Sequence, residues 1–449
     1  MTSETTMSPE PAVEEPRVPR GRVFAWALWD WATQPYNSVI ITFVFAALYL
    51  VSDSFMDPAI AALGEDDPAY EAAKADLSGS FGLAMTLAAV VIAVLAPVIG
   101  QRADTSGRRK RWLAWCTTLL VVCMAGLYFV QAAPAYFVVG AGLIAVGSIF
   151  SEIGGVHYNA LITQVTTPRT MGRVSGLGWG FGYTGGIVAL VLVVVITELD
   201  WFGMDTSNGM AYRLIAVGCA VWTLAFAWPL FRYVPEAPGT GRAPVSFLGG
   251  YVRLWHDLVR LWREERHTLW FLLSSAVYRD GLAGVFTFGA IIASVAYGFS
   301  ESQVLYFGVA ANLVAGVATM ASGLIDDRFG PRRLILWSLG GMVVAGLVVA
   351  FLEPLGPVVF WIAGLTLCLF VGPVQSASRS LLARISPPGK QGEIFGLYAT
   401  TGRAVSFLAP AMWWVAITLT HETIWGVLGI VAVVLAGFVS MLFVKVPTR

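Results

Sequence analysis

Residues 100–113 read GQRADTSGRRKRWL, and residues 323–336 read GLIDDRFGPRRLIL. The two stretches share two glycines, an aspartate and two adjacent basic residues at one constant offset, so that Gly100, Asp104, Gly107, Arg109 and Lys110 align with Gly323, Asp327, Gly330, Arg332 and Arg333. A second alignment at a similar offset joins Pro168, Gly172, Gly176 and Leu177 to Pro388, Gly392, Gly396 and Leu397. Two matches in the same order predict a parallel internal repeat.

Long apolar stretches surround both loops. The 449 residues are 57% hydrophobic and 12% charged, with a mean hydropathy of +0.71, which indicates lipid as the solvent. A helix needs about 20 apolar residues to cross the hydrocarbon layer, because lipid offers its backbone no hydrogen bonds. We count twelve such stretches, at 23–52, 79–101, 110–132, 134–161, 174–197, 211–233, 269–299, 303–325, 332–352, 356–384, 393–419 and 423–444. The sequence predicts an all-α membrane protein with twelve transmembrane helices in two six-helix pseudo-repeats.

The basic residues predict the sidedness of these helices. Basic residues at 17–22, 102–111 and 328–333 fall on one side, whereas the loop at 53–77 is mostly acidic. Since Lys and Arg are enriched in cytosolic loops, we expect both termini in the cytosol, and a bacterial plasma membrane around the protein. The predicted divisions are a disordered tail at 1–22, an N-terminal six-helix bundle at 23–233, a cytosolic linker with an amphipathic helix at 234–268, and a C-terminal six-helix bundle at 269–449.

The repeated G-x3-D-x2-G-x-[RK]-[RK] loop resembles the signature loop of the major facilitator superfamily. Four further segments, at 21–45, 158–186, 277–289 and 372–407, are similar to hallmark segments of its vacuole-effluxer branch, typified by a fungal autophagy-related vacuolar amino-acid effluxer. The resemblance implies the major facilitator fold, alternating access and amino-acid efflux. It also implies that Asp104 and Asp327 pair with basic residues at neighbouring helix ends. The chain departs from the branch at 33–35 and 163–164, which we expect near the cavity.

Polar residues inside the predicted spans are the candidate binding residues, because an ionised group that faces lipid is costly. Asp30, Gln34 and Asn37 stand at i, i+4 and i+7 on one helical face, and Asp280 holds the corresponding place on the seventh span, where Arg379 or Arg403 is a candidate partner. The predicted substrate-binding residues are Asp30, Gln34, Asn37, Tyr158, Asn159, Asp280, Gln375, Arg379 and Arg403. The predicted proton-coupling residues are Asp30, Glu152 and His157. The predicted conformational-switch loops contain Gly100, Asp104, Gly107, Arg109, Gly323, Asp327, Gly330 and Arg332.

Several of these residues also admit a structural role. Asp30 could be wetted by the cytosol or cap a neighbouring helix, Asp280 could form a structural ion pair, and His157 could be a hydrogen-bonded bundle residue. The four cysteines fall within predicted spans, where small buried side chains are expected rather than disulfide partners or metal ligands.

Opposite charges inside one bundle suit a solute that carries both signs. We therefore predict a secondary-active transporter for an amino acid or similar zwitterion, which exports it with proton coupling or by exchange. The alternatives are a multidrug or sugar/nucleoside carrier of the same fold, and a non-transporting membrane sensor or scaffold. The sequence contains no P-loop, nucleophile motif or metal-ligand spacing of its four histidines. We expect no enzyme activity, cofactor, metal or nucleic acid, and a monomer in the lipid bilayer that binds a small-molecule substrate.

Overall fold

The computed structural model describes residues 19–64, 67–166, 171–198, 209–236, 246–386 and 391–444. These residues are almost entirely helical. The α-helices are α1 (Arg20–Pro35), α2 (Pro58–Ala61), α3 (Pro68–Ser106), α4 (Arg109–Gly126), α5 (Phe137–Ala160), α6 (Met171–Glu198), α7 (Met210–Tyr233), α8 (Phe247–Glu264), α9 (Arg266–Ile291), α10 (Glu301–Phe329), α11 (Pro331–Phe351), α12 (Pro357–Ile385), α13 (Gln391–Ala404), α14 (Leu408–Thr420) and α15 (Gly426–Leu442). Within the described residues, eleven helical segments are long and apolar enough to cross a membrane, so the prediction of an all-α membrane protein is confirmed.

The first predicted span, 23–52, is a helical segment of mixed type. It begins as α1 and continues as two π-helical stretches, Tyr36–Phe43 and Phe45–Leu50. Pro35, which ends α1, has no N–H to donate to the carbonyl of Trp31. The indole of Trp222 on α7 donates to that carbonyl instead, over 3.2 Å. A side chain from a neighbouring helix thus satisfies the backbone group that proline leaves free.

Two other predicted spans differ from the observed helices. α3 has 39 residues and begins eleven residues before the predicted span at 79–101, so part of the predicted loop at 53–77 is helical. Its start is fixed by Asp67, whose side chain accepts a hydrogen bond from the N–H of Ala69, with Pro68 in the first turn. The eleventh predicted span, 393–419, is divided into α13 and α14 by a break at residues 405–407.

The helices pack as two groups that follow the chain. Helices α1 and α3 to α7 form the first group, and α9 to α15 form the second, with α3 against α14 and α6 against α10 as the main contacts between them. The α3–α14 contact lies close to the acidic loop at 53–77. There the indole of Trp413 donates to the carbonyl of Ser78 over 3.2 Å, and the rings of Phe81 and Phe288 meet edge to face. These contacts close the two groups against each other on the acidic-loop side.

Each of the two repeated loops contains a glycine with a positive φ angle directly after a helix. Gly107 follows α3 with φ +61°, and Gly330 follows α10 with φ +83°, a region that side chains with a Cβ rarely adopt. The next basic residues hold helix ends: Arg109 donates to the carbonyl of Ala160, and Arg332 donates to those of Leu442 and Val444. Each loop therefore ties the start of one helix to the end of another.

The side chains of Asp104 and Asp327 lie outside the described part of the structure, as do Pro168 and Pro388. The ion pairs implied for the two aspartates therefore stay predictions. The neighbouring Asp326 accepts a hydrogen bond of 3.2 Å from Arg384 at the end of α12. An acid of the second repeated loop is thus paired with a basic residue at a helix end.

The predicted linker helix is present as α8. Leu258 and Leu261 pack against the core of the second helix group, and the Tyr251 hydroxyl donates to the carbonyl of Val94 on α3. The helix is therefore attached to both groups. Trp255 on this helix is 66% exposed, as is typical of an amphipathic helix whose apolar face lies at the boundary between lipid headgroups and acyl chains.

Candidate solute-binding cavity

A polar cavity of about 160 Å³ lies between the two helix groups. It is lined by Asp30, Gln34, Asn37, Ser38, Thr42 and Phe43 of the first segment, Trp179, Gly182 and Tyr183 of α6, Phe286 of α9, Asn312 of α10 and Gln375 of α12. A cavity of this size admits several water molecules. Both groups contribute polar side chains, so a solute in this cavity touches both.

The first segment turns its predicted polar face toward the cavity. Asp30, Gln34 and Asn37 all line it, as their spacing predicts. The carboxylate of Asp30 faces α6 at Gly182, where a Cβ would come within 3.2 Å of the carboxyl carbon. Among the described residues, no Lys, Arg or His lies within 4.0 Å of this carboxylate. Asp30 therefore offers an unpaired acid to the cavity, while its binding role stays a prediction.

Asp280, the corresponding acid of the second group, is used differently. Its side chain accepts a hydrogen bond of 2.6 Å from the backbone N–H of Ala409 and is only 5% exposed. The first N–H groups of a helix lack partners in their own helix, so this carboxylate caps α14 just after the break that separates it from α13. The predicted pairing of Asp280 with Arg379 or Arg403 is wrong, and Asp280 is not among the residues that line the cavity.

Three arginines of the second group lie near the interface, each with different partners. Arg403 donates through Nε to the Glu152 carboxylate and through Nη2 to the Glu152 carbonyl, both over 3.3 Å, which joins α13 to α5. Arg279 donates to the carbonyl of Tyr398 over 2.9 Å and lies over that ring. Arg379 lies 5.2 Å over the ring of Trp179 on α6.

The remaining predicted residues lie at the end of α5. Tyr158 is stacked between Trp26 and Trp29, each with ring centroids 4.5 Å away, and is buried in the first group. His157 is buried beside the ring of Trp112, and neither of its ring nitrogens has a hydrogen-bond partner within the described parts of the chain. Asn159 is exposed. None of the three is among the residues that line the cavity. Their predicted roles in binding and proton coupling therefore stay predictions without a cavity contact to support them.

Residues 163–448 match the family described as vacuole effluxer Atg22 like. That match covers well over half of the 449 residues. The chain belongs to the vacuole effluxer Atg22-like family. The resemblance stated from the sequence is thereby confirmed.

Relatives in two kingdoms share sequence with this Atg22-like chain. An uncharacterized MFS-type transporter of Bacillus subtilis, YxiO, is 24% identical over 425 residues, which cover 94% of this chain and 95% of that protein. Autophagy-related protein 22-1 of Neosartorya fischeri is 24% identical over 283 residues, which cover 57% of this chain and 45% of that protein. The fungal match therefore spans less than half of the fungal protein.

Solved structures of transporters share the fold of the Atg22-like chain. The nucleoside transporter NupG has a TM-score of 0.64 at 13% identity and covers 95% of this chain and 100% of its own. A D-xylose-proton symporter has a TM-score of 0.61 at 14% identity, and the match covers 93% of this chain and 96% of the symporter chain. The human organic anion transporter MFSD10 has a TM-score of 0.59 at 15% identity and covers 94% and 100%. The chain thus has the fold of MFS transporters. The prediction that it is not an enzyme is confirmed by the match to the vacuole effluxer family and by the MFS-type relative.

Several lining residues of the Atg22-like cavity escaped the sequence analysis. Trp179 and Tyr183 stand four apart on one face of α6, and Asn312 is an amide inside an apolar stretch of α10 that donates to the carbonyl of Gly308 over 2.9 Å. Because Asn312 is a polar residue within an apolar span, a hydropathy profile of the sequence could have identified it as a candidate. The expected cavity position of the departure at 163–164 is wrong, because those residues form a 3₁₀ turn after α5 and do not line the cavity.

Replacing Gly182 by alanine should impair transport without unfolding the protein. A Cβ at this position would lie 3.2 Å from the carboxyl carbon of Asp30, so the acid must give way by a few tenths of an ångström at the cavity wall. Gly180 lies on the same helix, and a Cβ there meets nothing within 4 Å, so Gly180→Ala is the matched control. Solute uptake into liposomes should fall severalfold for Gly182→Ala only. Equal uptake by the two variants would show that the position of Asp30 does not matter.

Proposed function

We propose that this protein is a secondary-active carrier that moves a small polar solute bearing both charges, an amino acid above all, by alternating access. The observation that carries this proposal is the unpaired carboxylate of Asp30 at a polar cavity between two helix groups. An acid inside a membrane segment without a partner is costly even when partly exposed to a cavity, and a solute ammonium or a proton at this place lowers that cost. Export, with coupling to protons or to exchange, is part of the proposal.

The arrangement of the two groups supports alternating access. They are closed against each other on the acidic-loop side through Trp413 and Ser78, and the cavity lies between them. The ion pair of Arg403 with Glu152 crosses from one group to the other at a different level. A carrier of this kind opens and closes its site by rocking one group on the other, and such cross-group contacts then form and break.

A neutral polyhydroxyl solute is the second candidate. The cavity presents four side-chain amides, Gln34, Asn37, Asn312 and Gln375, and amides suit sugar hydroxyls as both donors and acceptors. Two of the solved structures with this fold are named as a nucleoside transporter and a D-xylose-proton symporter. The unpaired carboxylate of Asp30 favours the charged solute.

The membrane arrangement is also a proposal. We propose that residues 20–50 form a twelfth crossing element beside the eleven long apolar segments, in two six-helix repeats joined by the linker at 234–268. The basic-loop side, with both termini, then faces the cytosol of a bacterial plasma membrane.

Cysteine labelling in intact cells should test this sidedness. The four native cysteines are buried, and both Glu71 and His256 are exposed, so single cysteines at these positions report with little background. A membrane-impermeant maleimide should label Glu71→Cys directly and His256→Cys only after permeabilisation. The opposite pattern would invert the proposed topology.

Uptake by reconstituted liposomes tests the function itself. The purified protein is exposed to each of the 20 standard amino acids, D-xylose and a nucleoside, with and without a pH gradient. We expect uptake of one or more amino acids above protein-free liposomes. Uptake of the neutral solutes alone would favour the second candidate, and an intact protein that moves none of them would favour a sensor or scaffold.

A further inference from the structure

The structure distinguishes Arg379 from Arg403, two binding candidates that the sequence leaves equivalent, and from a third arginine, Arg279. The guanidinium of Arg403 is occupied by Glu152, and that of Arg279 by the carbonyl and ring of Tyr398. The guanidinium of Arg379 instead lies over the face of the Trp179 ring, a contact that uses none of its N–H donors. Within the described residues, no carboxylate lies within 4.0 Å of Arg379. A guanidinium has five N–H donors in its plane, so the donor edge of Arg379 is available to an anion.

Arg379 also lies at the edge of the cavity. It stands one helical turn beyond Gln375 on α12, and its aromatic partner Trp179 lines the cavity from α6. Tyr183, one turn along α6 from Trp179, lines the same cavity as Asp30. The guanidinium of Arg379 therefore belongs to the second helix group and the carboxylate of Asp30 to the first, and neither has an oppositely charged side chain within 4.0 Å among the described residues.

From this geometry we propose that Arg379 binds the carboxylate of the transported solute and that Trp179 is a positioning residue for its guanidinium. This proposal deepens the function proposed above and rests on it. A guanidinium over an aromatic face is held in orientation by the ring while its in-plane N–H groups remain free to form two parallel bonds to a carboxylate. The substrate class is then a small solute whose ammonium lies at Asp30 and whose carboxylate lies at Arg379.

Such a solute joins the two helix groups across the cavity. The solute ammonium contacts the first helix group and the solute carboxylate contacts the second. Both contacts exist together only when the two groups are close, so solute binding shifts the equilibrium between the open and closed conformations. A solute that lacks the carboxylate keeps the contact to Asp30 and loses the contact to the second group. We therefore expect the protein to reject amino-acid amides.

Paired ligands test the role of Arg379. The apparent melting temperature of the full-length protein in detergent is measured against each of the 20 standard amino acids and the corresponding primary amide, which lacks the α-carboxylate. We expect the wild-type protein to prefer the acid by roughly tenfold to a hundredfold, because a charge-assisted pair of hydrogen bonds is lost in the amide. Arg379→Gln should bind acid and amide equally weakly, while Arg403→Gln should keep the preference.

Trp179 variants test the positioning role. Trp179→Phe retains an aromatic face and should keep the preference for the acid, whereas Trp179→Leu should reduce it severalfold because the guanidinium is no longer held in orientation. A folded Arg379→Gln protein that still prefers the acid would overturn the proposal and leave the carrier function standing. A wild-type protein that binds none of the amino acids would overturn both.

Discussion

Asp30→Asn should strongly reduce concentrative solute uptake driven by a pH gradient while the protein remains folded. The substitution keeps the size and hydrogen-bonding capacity of the side chain but removes its charge. No basic side chain within the described parts of the chain neutralises Asp30. The substitution therefore removes a negative charge that is available to bind a solute ammonium or a proton. We expect uptake to fall by roughly tenfold to a hundredfold, the usual effect of losing a charge-assisted contact.

Exchange at equal pH separates the two roles of this acid. If Asp30 carries the coupling proton, the Asp30→Asn protein should still exchange internal for external solute but should not respond to a pH gradient. If it binds the solute ammonium, exchange should fall as well. Glu71→Gln is a suitable control, because Glu71 is an exposed acid of α3 near the acidic loop. Wild-type uptake and pH dependence in a well-expressed Asp30→Asn protein would exclude both roles.

Asp280→Ala should destabilise the second helix group. Loss of Asp30, the corresponding acid of the first group, should instead impair transport and leave stability nearly unchanged. Removing the carboxylate leaves the Ala409 N–H without its partner in a buried site, which costs about 1–3 kcal/mol. The apparent melting temperature should fall by several degrees, since ~1 kcal/mol shifts a domain of this size by about 2–4 °C.

The paired variant Asp30→Ala distinguishes the two acids within one experiment. It should melt close to the wild-type temperature and transport poorly, whereas Asp280→Ala should melt earlier. Asp280→Asn retains an oxygen that accepts the Ala409 N–H and should recover much of the lost stability. If Asp280→Ala melts at the wild-type temperature, the hydrogen bond to α14 does not stabilise the break between α13 and α14.

Much of the architecture follows from the sequence alone. Length and hydropathy identified eleven of the long helices, because an apolar stretch of about 20 residues in lipid can satisfy its backbone only within itself. The repeated loops placed glycines at 107 and 330, and both have positive φ in the structure. Helical periodicity placed Asp30, Gln34 and Asn37 on one face, and that face lines the cavity. These features depend on residues close together in the chain.

The tertiary structure alone decided which charged groups are free. Sequence analysis treated Asp30 and Asp280 alike, yet one lines the cavity and the other caps α14, because the Ala409 N–H lies 129 residues from Asp280. The choice among Arg279, Arg379 and Arg403 likewise depended on partners that other helices bring to them, such as Glu152, which is 251 residues from Arg403. A charge in a membrane protein is structural or functional according to what neutralises it, and a partner so distant in sequence leaves no local pattern.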